Sequence, residues 1–226
     1  MHLISSANIA CGYHAGNEEI MKTTVELALK NNVAIGAHPG FADKENFGRN
    51  EVYLSDEAFH ALVIDQLAAL KKITDTVGAT IHHVKPHGAL YNMSAKNRHI
   101  AFIIAKAVLE FDQDLILYGL SGSNSIREAR TLGLKTASEV FADRSYQNDG
   151  SLTPRSQEHA LIEDQAASLG QVLQMVQQQT VTSVENITVP VVAETICIHG
   201  DGAHAVEFAK SIYGTLKREK IAIRPC

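Results

Sequence analysis

The segment with the densest set of chemically useful side chains is residues 82–92, whose sequence is HHVKPHGALYN. Its first residues are typical of the end of a β-strand, because Pro86 has no N–H to give to a sheet and Gly88 permits a tight turn. Side chains that follow a strand in this way carry the chemistry of many α/β proteins. Here they are a cation, an imidazole, a phenol and an amide, which belong to Lys85, His87, Tyr91 and Asn92.

Two other predicted strands also end in a histidine, within residues 11–16 (CGYHAG) and 36–41 (GAHPGF). Neutral imidazoles are common ligands of zinc and similar ions, and a carboxylate is the expected third ligand. His14 and His38 are therefore candidate ligands of a divalent metal ion. The structural alternative is that each histidine caps a turn through backbone hydrogen bonds.

The later strand ends carry further polar pairs. Asp143 and Arg144 offer a general base and an anion clamp, although such a pair is also typical of a surface ion pair. His199 and Asp201 form another pair, in which Asp201 is equally suited to cap the last helix. Residues 121–124 (SGSN) open a helix with glycine and hydroxyl groups, which favours anion binding only weakly on its own.

The elements that must position these side chains alternate between strand and helix along the whole chain. Regular alternation predicts a parallel sheet covered by helices, and polar residues at successive strand ends favour closure into a (β/α) barrel. An open, doubly wound sheet is the alternative, because periodicity does not give strand order. Strands are predicted at 3–10, 33–37, 80–84, 115–118, 135–140 and 191–198. Helices are predicted at 55–77, 95–111, 125–132, 161–178 and 203–218, after a first helix that Asn17 caps and whose apolar face extends to Ala28. Residues 180–190 are either a loop or a weak strand.

Length and composition restrict the class of protein. A chain of 226 residues with 45% hydrophobic residues suits one domain, residues 1–226, with a full core. The net charge of −5 provides no basic surface for nucleic acid. No apolar run approaches a membrane span, and the start does not resemble a signal peptide. Three widely spaced cysteines favour a reducing cytoplasm.

Several catalytic motifs are absent from the sequence. It contains no GxxxxGK[ST] phosphate loop and no GxSxG nucleophile elbow. If the protein takes part in ATP-driven chemistry, a partner or an unrecognised site must therefore handle the nucleotide.

Taken together, the motifs resemble those of the LamB/YcsF family, described as the A subunit of the prokaryotic ATP-dependent 5-oxoprolinase. They occur in the family's order over nearly the whole chain, and their combination is far more specific than any one of them. The segments that carry the resemblance are 6–16 (SANIACGYHAG), 36–41 (GAHPGF), 47–49 (FGR), 83–92 (HVKPHGALYN), 139–146 (EVFADRSY) and 195–201 (TICIHGD).

The resemblance implies a distorted (β/α) barrel of the glycoside hydrolase/deacetylase type. It implies hydrolytic opening of the lactam of 5-oxo-L-proline to L-glutamate, driven by ATP, with partner subunits B and C supplying the phosphorylation. Catalytic candidates on the matching segments are Lys85, His87, Asp143 and His199. Substrate-binding candidates are Tyr13, Arg49, Tyr91, Asn92, Ser123, Arg144 and Asp201.

The sequence departs from the family pattern at its start. Family members usually begin with a further strand that ends in an acidic motif close to NxDxGE, and this chain starts at Met1 without it. The expectation is therefore a barrel of about seven strands that lacks the family's first strand and the carboxylate that would join His14 and His38. An unpaired first strand favours association, including a homo-oligomer. Asn17 also stands where the family usually has aspartate.

Two other functions compete with lactam hydrolysis. One is a metal-dependent carbohydrate deacetylase, suggested by fold analogy and the paired histidines, although a 6% aromatic content without tryptophan argues against a sugar-stacking groove. The other is a non-catalytic subunit whose polar strand ends are structural.

Overall fold

The computed structural model describes residues 1–202 and 204–226. The chain forms two compact units. Unit 1 consists mainly of Met1–Gly119 and Ser123–Ala137, and unit 2 consists mainly of Leu120–Gly122 and Ser138–Arg224.

The sheet of unit 1 contains parallel strands that pair in chain order. Register places Ala10 of the first strand opposite His38 of the second, and Ala37 opposite Val84 of the third. The carboxyl ends of these strands therefore meet at one edge of the sheet. The strands are β1 (Ser6–Ala10), β2 (Ala34–His38), β3 (Ile81–Val84) and β4 (Ile116–Leu120, whose last residue belongs to unit 2).

Two helices of unit 1 begin where local capping chemistry predicts. The side chain of Asn17 accepts a hydrogen bond from the N–H of Ile20, and that of Ser55 accepts one from the N–H of Ala58. Both predicted caps are confirmed. The helices are α1 (Glu18–Lys30), α2 (Asp56–Thr76), α3 (Gly88–Lys96), α4 (Arg98–Phe111) and α5 (Asn124–Thr131).

The predicted single helix 95–111 is wrong at its start. Helix α3 begins already at Gly88, and Asn97 then separates it from α4 by accepting hydrogen bonds from the first N–H groups of α4. Tyr91 and Asn92 therefore lie on a helix, and not in a loop after the strand. The early start of α3 was not predicted, because Pro86 and Gly88 are typical of a longer turn.

Unit 2 contains one parallel strand pair and one small hairpin. Glu139 pairs with Thr195, and Phe141 pairs with Cys197. The undecided segment 180–190 is an antiparallel pair. The elements are β5 (Lys135–Phe141, whose first three residues belong to unit 1), α6 (Gln165–Gln178), β6 (Thr180–Thr182), β7 (Thr188–Pro190), β8 (Thr195–Cys197) and α7 (Ala205–Arg218).

Two predicted boundaries of unit 2 differ from the structure. The helix predicted from 161 starts at Gln165, because Asp164 caps it by accepting from the N–H of Ala167. The strand predicted at 191–198 shortens to Thr195–Cys197. The predicted first residue of the last helix, 203, lies outside the described residues.

Both units have the α/β character predicted from the sequence, with parallel strands connected through helices. The prediction of a single domain over residues 1–226 stays a prediction. Of the helices in the described part of the chain, none combines the length and the apolar character that a membrane span requires.

Candidate functional site

Three histidines meet at the strand ends of unit 1, and we call them the histidine cluster: His14, His38 and His87. His14 follows β1, His38 ends β2, and His87 stands between β3 and α3. One ring nitrogen from each lies within 4.8 Å of one ring nitrogen of each of the others. The predicted pair of His14 and His38 is thus brought together, and its third member is an imidazole where the sequence predicted a carboxylate.

Short hydrogen bonds fix two of these rings. Nδ1 of His38 lies 2.7 Å from the carbonyl oxygen of Lys85, and Nε2 of His87 lies 2.7 Å from the carbonyl oxygen of Phe47. The opposite nitrogens, Nε2 of His38 and Nδ1 of His87, lie 2.9 Å apart. Since a carbonyl oxygen only accepts, each outer nitrogen carries the hydrogen of its ring.

His14 is held by packing. Its ring is buried and stacks on the His87 ring, with centroids 3.9 Å apart and planes 3° from parallel. Within the described part of the chain, its Nδ1 has no hydrogen-bond partner. Gly40 and Gly48 make the space, because a Cβ on Gly40 would lie 2.7 Å from His14 Nδ1 and one on Gly48 would lie 2.8 Å from His14 Cβ.

The surroundings keep the rings of His14 and His38 neutral. Burial, followed by the nearby His87 ring, lowers the pKa of His14 from 6.5 to about 3. Burial also lowers the pKa of His38 well below its usual value, and the charges of His87 and Lys85 act in the same direction. At neutral pH His14 and His38 therefore offer imidazole lone pairs.

Lys85 is a buried cation beside the cluster. Only 4% of the residue is exposed, and its backbone N–H donates to the carbonyl of Ala37. Its Nζ lies 5.6 Å from the centre of the Tyr91 ring, within the range of a cation–π contact. The buried position suits an anion site, because a charge interacts more strongly where water is excluded.

The other predicted substrate-binding residues of unit 1 are spread out. The Arg49 guanidinium lies 5.0 Å from the centre of the Phe47 ring, which itself borders His14 and His87. Tyr13 interacts with Asp65; burial and then this carboxylate raise the pKa of the phenol. Asn92 is exposed, and Ser123 is buried at the start of α5. Of these, Arg49 is tied to the cluster, through Phe47.

Unit 2 contains a carboxylate–imidazole pair formed by Asp143 and His199. Ring Nδ1 of His199 lies 3.0 Å from both carboxylate oxygens, and its backbone N–H donates to Oδ2 at 2.8 Å. Burial alone would raise the pKa of Asp143, but the hydrogen bonds and charge of His199 outweigh it, and the pKa lies below its usual value. Asp143 is therefore ionised and fixes the orientation of the imidazole.

A cavity of about 170 Å³ opens beside this pair. Its polar lining includes Arg155 and Glu163 as well as the predicted residues Asp143, His199 and Asp201. Sequence reasoning missed Arg155 and Glu163, because they lie in a polar loop and at the edge of a helix without a recognisable motif. The structure thus brings three predicted residues of unit 2 to one cavity.

Arg144, predicted to bind an anion, points its guanidinium at the backbone. It is 5% exposed and donates to the carbonyls of Ala160 and Thr153. Burial, with the charge of Arg155, lowers its pKa from 12.5 to about 10. These bonds fasten the loop after β5, so the observed role is structural, while anion binding by Arg144 stays a prediction.

An α/β fold with imidazoles and carboxylates at its strand ends defines a class of proteins whose chemistry lies at those ends. The sequence pattern of the LamB/YcsF family matches residues 1–226, and the chain belongs to this family. The family predicted from the sequence is thereby confirmed.

Comparison with individual proteins gives relatives that match nearly the whole chain. The chain is 52% identical to a protein from Geobacillus kaustophilus that is named as the A subunit of 5-oxoprolinase, over 98% of this chain and 86% of the relative. It is 51% identical to the protein of that name from Brevibacillus brevis, over 97% of this chain and 87% of the relative.

A solved structure is similar as well. The crystal structure of a lactam utilization protein from Thermus thermophilus matches with a TM-score of 0.92 and 40% identity. The match covers 99% of this chain and 89% of that protein. It confirms the predicted fold class, an α/β fold of the distorted-barrel type.

Proposed function

We propose that the chain is the catalytic subunit of an ATP-dependent 5-oxoprolinase, which opens the lactam of 5-oxo-L-proline to give L-glutamate. Relatives of about 50% identity carry the name of the 5-oxoprolinase A subunit, and the similar solved structure is that of a lactam utilization protein. The word subunit in that name supports action within a complex. Partner subunits B and C would supply ATP use and phosphorylation, which fits a sequence without a phosphate loop.

The observation that carries the proposal is the Asp143–His199 pair at the cavity of unit 2. Because the Asp143 carboxylate accepts from Nδ1, the neutral His199 ring has its lone pair on Nε2. An imidazole oriented in this way by an ionised carboxylate is suited to general base catalysis.

Opening a lactam needs a base and then an acid. His199 Nε2 would take a proton from water as the water oxygen forms a bond to the carbonyl carbon. The resulting imidazolium, stabilised by Asp143, would give that proton to the ring nitrogen as the C–N bond breaks. Because the partner subunits would have phosphorylated the lactam oxygen, breaking the C–N bond leaves an amine and an acyl phosphate on one carbon chain. A second water would then hydrolyse the acyl phosphate, which releases inorganic phosphate and gives glutamate.

The remaining predicted roles follow the same chemistry. Lys85, in unit 1, stays the predicted candidate for binding a substrate carboxylate or an oxyanion, as its buried ammonium allows. His87 stays an acid–base candidate. Arg155 is a cation at the cavity of unit 2 and joins Asp201 as a candidate for substrate binding.

The test is glutamate release from 5-oxoproline and ATP by the chain together with subunits B and C. His199→Gln should lower the turnover by about 10² to 10⁴-fold, the usual contribution of a general base. His204→Gln is the matched control, since His204 also lines the cavity but its ring bonds to Glu207 in the first turn of α7. Unchanged turnover in His199→Gln would overturn the assignment of the base. Glutamate release that is the same without the chain would overturn the proposed function.

A further inference from the structure

We propose that the histidine cluster binds one divalent transition metal ion of the zinc class through imidazole nitrogens of His14, His38 and His87. This inference goes beyond the proposed function and does not depend on it, since metal binding can be measured without any substrate. Two features support it: the short distance between two ring nitrogens and the hydrogen bonds that orient their rings.

Two ring nitrogens of the cluster face each other. Nδ1 of His38 and Nε2 of His87 point at carbonyl oxygens and carry the hydrogens of their rings. In the neutral rings the inner nitrogens are then both unprotonated, yet they lie 2.9 Å apart. Two lone pairs at this distance repel each other. A positive charge in contact with both nitrogens would remove this repulsion and stabilise the arrangement.

The distance also suits a metal ion. Zinc binds imidazole nitrogens at about 2.0–2.1 Å. Two ligands of one zinc ion are therefore about 3 Å apart at a right angle and somewhat more in a tetrahedron. The observed 2.9 Å requires only a small separation of the two rings.

The outer hydrogen bonds are those expected around a metal site. A ligating histidine usually donates its other ring N–H to a carboxylate or a backbone carbonyl, which fixes the tautomer and the ring orientation. His38 and His87 both do so, at 2.7 Å, to the carbonyls of Lys85 and Phe47. Two rings of the cluster are therefore already oriented.

The third ligand is His14, which is 2% exposed and has a buried Nδ1 with no hydrogen-bond partner among the described residues. Its ring lies parallel to that of His87, so the two lone pairs do not converge as the rings stand. The His14 ring must turn about its side-chain bonds to bind the same ion. Gly40 and Gly48, which have no Cβ, allow the backbone to pack closely against this side chain.

The charge of the surroundings limits the affinity. Lys85 is close enough to lower the pKa of His38, and it also opposes a metal cation. The metal-binding group found in the described residues contains histidines alone. Three neutral ligands leave a fourth position for water, as in zinc sites with three histidines.

The experiment is a titration of the chelator-treated full chain with Zn²⁺ by calorimetry, repeated with Co²⁺ while the visible absorption is recorded. We expect one ion per chain and the absorption of a Co²⁺ site with nitrogen ligands. His38→Ala and His87→Ala should weaken binding by more than the roughly 10 to 100-fold cost of losing an outer partner. His14→Ala should weaken it as well, and circular dichroism shows whether each variant is folded.

The matched control is His60→Ala. His60 is a histidine near the surface that bonds to Glu110 and lies outside the cluster, so its loss should leave the affinity unchanged. Binding that survives both His38→Ala and His87→Ala would overturn the proposal and show adventitious binding elsewhere. An absence of stoichiometric binding by the unaltered chain would overturn the proposal too. It would indicate that a proton shared by the inner nitrogens of His38 and His87, and not a metal ion, supplies the positive charge between them.

Discussion

The carboxylate of Asp143 accepts hydrogen bonds from both the backbone N–H and the ring Nδ1 of His199, a residue 56 positions later in the chain. Two bonds from one residue to one carboxylate define both the place of the loop after β8 and the direction of the imidazole. Asp143 is ionised at neutral pH, because the bonds from His199 outweigh the effect of burial and keep the pKa of the carboxyl group below its usual value. The pair is therefore an orienting carboxylate and a candidate base.

The first prediction concerns Asp143→Asn. An amide can donate to Nδ1, which would move the proton of the neutral ring to Nε2 and remove the base. Turnover of 5-oxoproline with the partner subunits should fall by about 10² to 10⁴-fold, with a smaller effect on KM. Asp114→Asn, at an exposed aspartate that pairs with Lys135, is the control and should keep full activity. Equal turnover in the two variants would contradict the role of Asp143.

The second prediction concerns Lys85→Met, which keeps much of the volume of the buried side chain and removes its charge. If Lys85 binds the substrate carboxylate, KM should rise by at least about tenfold with little change in kcat, since the interaction is the same in the ground and transition states. If it stabilises the oxyanion, kcat should fall by about 10² to 10³-fold. Steady-state kinetics separates the two roles, and a variant with KM and kcat both unchanged would show that Lys85 has neither role.

Local chemistry predicts a large part of the fold. Asn17 and Ser55 cap the helices they were predicted to cap. A side-chain oxygen just ahead of an apolar periodic run can accept a hydrogen bond from an N–H of the first helical turn that has no partner within the helix. Strands β2 and β3 are found at nearly the predicted positions. The break at Asn97 was missed, since an asparagine inside a helical pattern is also compatible with an uninterrupted helix.

The candidate site is less predictable because its contacts are not local. The sequence assigned His14 and His38 together to a metal and His87 to proton transfer, and it did not predict that the His87 ring joins the other two. That meeting depends on the register of β1, β2 and β3, which periodicity does not determine. Likewise, Asp143 was predicted as a base in its own right, and its bonds to His199 follow from the pairing of β5 with β8.

A third prediction follows from His83, which is fully buried on β3. Its Nε2 donates to the side-chain oxygen of Asn8 at 3.0 Å, and its ring stacks on Tyr118. Burial, with the charges of His82 and Lys85, lowers its pKa from 6.5 to about 3. The unfolded chain therefore binds one more proton at this residue between pH 6.5 and pH 3. The neutral ring contributes its full stability above that window and loses it as the pH falls.

The measurement is urea unfolding of the chain and of His83→Gln at several pH values from 7.5 downwards. Glutamine keeps an amide donor for Asn8 but does not titrate. Below pH 6.5, the free energy of unfolding of the unaltered chain should fall more steeply than that of the variant, by about 1.4 kcal/mol per pH unit. Parallel slopes in the two proteins would show that His83 does not titrate on unfolding.

The last prediction concerns Gly36, which lies on β2 directly against His83. A Cβ at this position would stand 2.0 Å from Nε2 of His83, the nitrogen that donates to Asn8. Gly36→Ala should therefore displace the ring, weaken this hydrogen bond and lower the free energy of unfolding by about 1–3 kcal/mol. The effect is steric, because the backbone of Gly36 is not in the left-handed region.

Gly170→Ala is the matched control, since Gly170 lies inside α6 and a Cβ there would meet no atom within 4 Å. In a helix the same substitution should raise the free energy of unfolding by about 0.5–1 kcal/mol. Urea unfolding of both variants at one pH gives the two values. The two changes should have opposite signs, although both variants gain the same methyl group. A Gly36→Ala chain as stable as the unaltered one would show that the His83 ring can move aside without cost, and would remove the steric argument for glycine at this position.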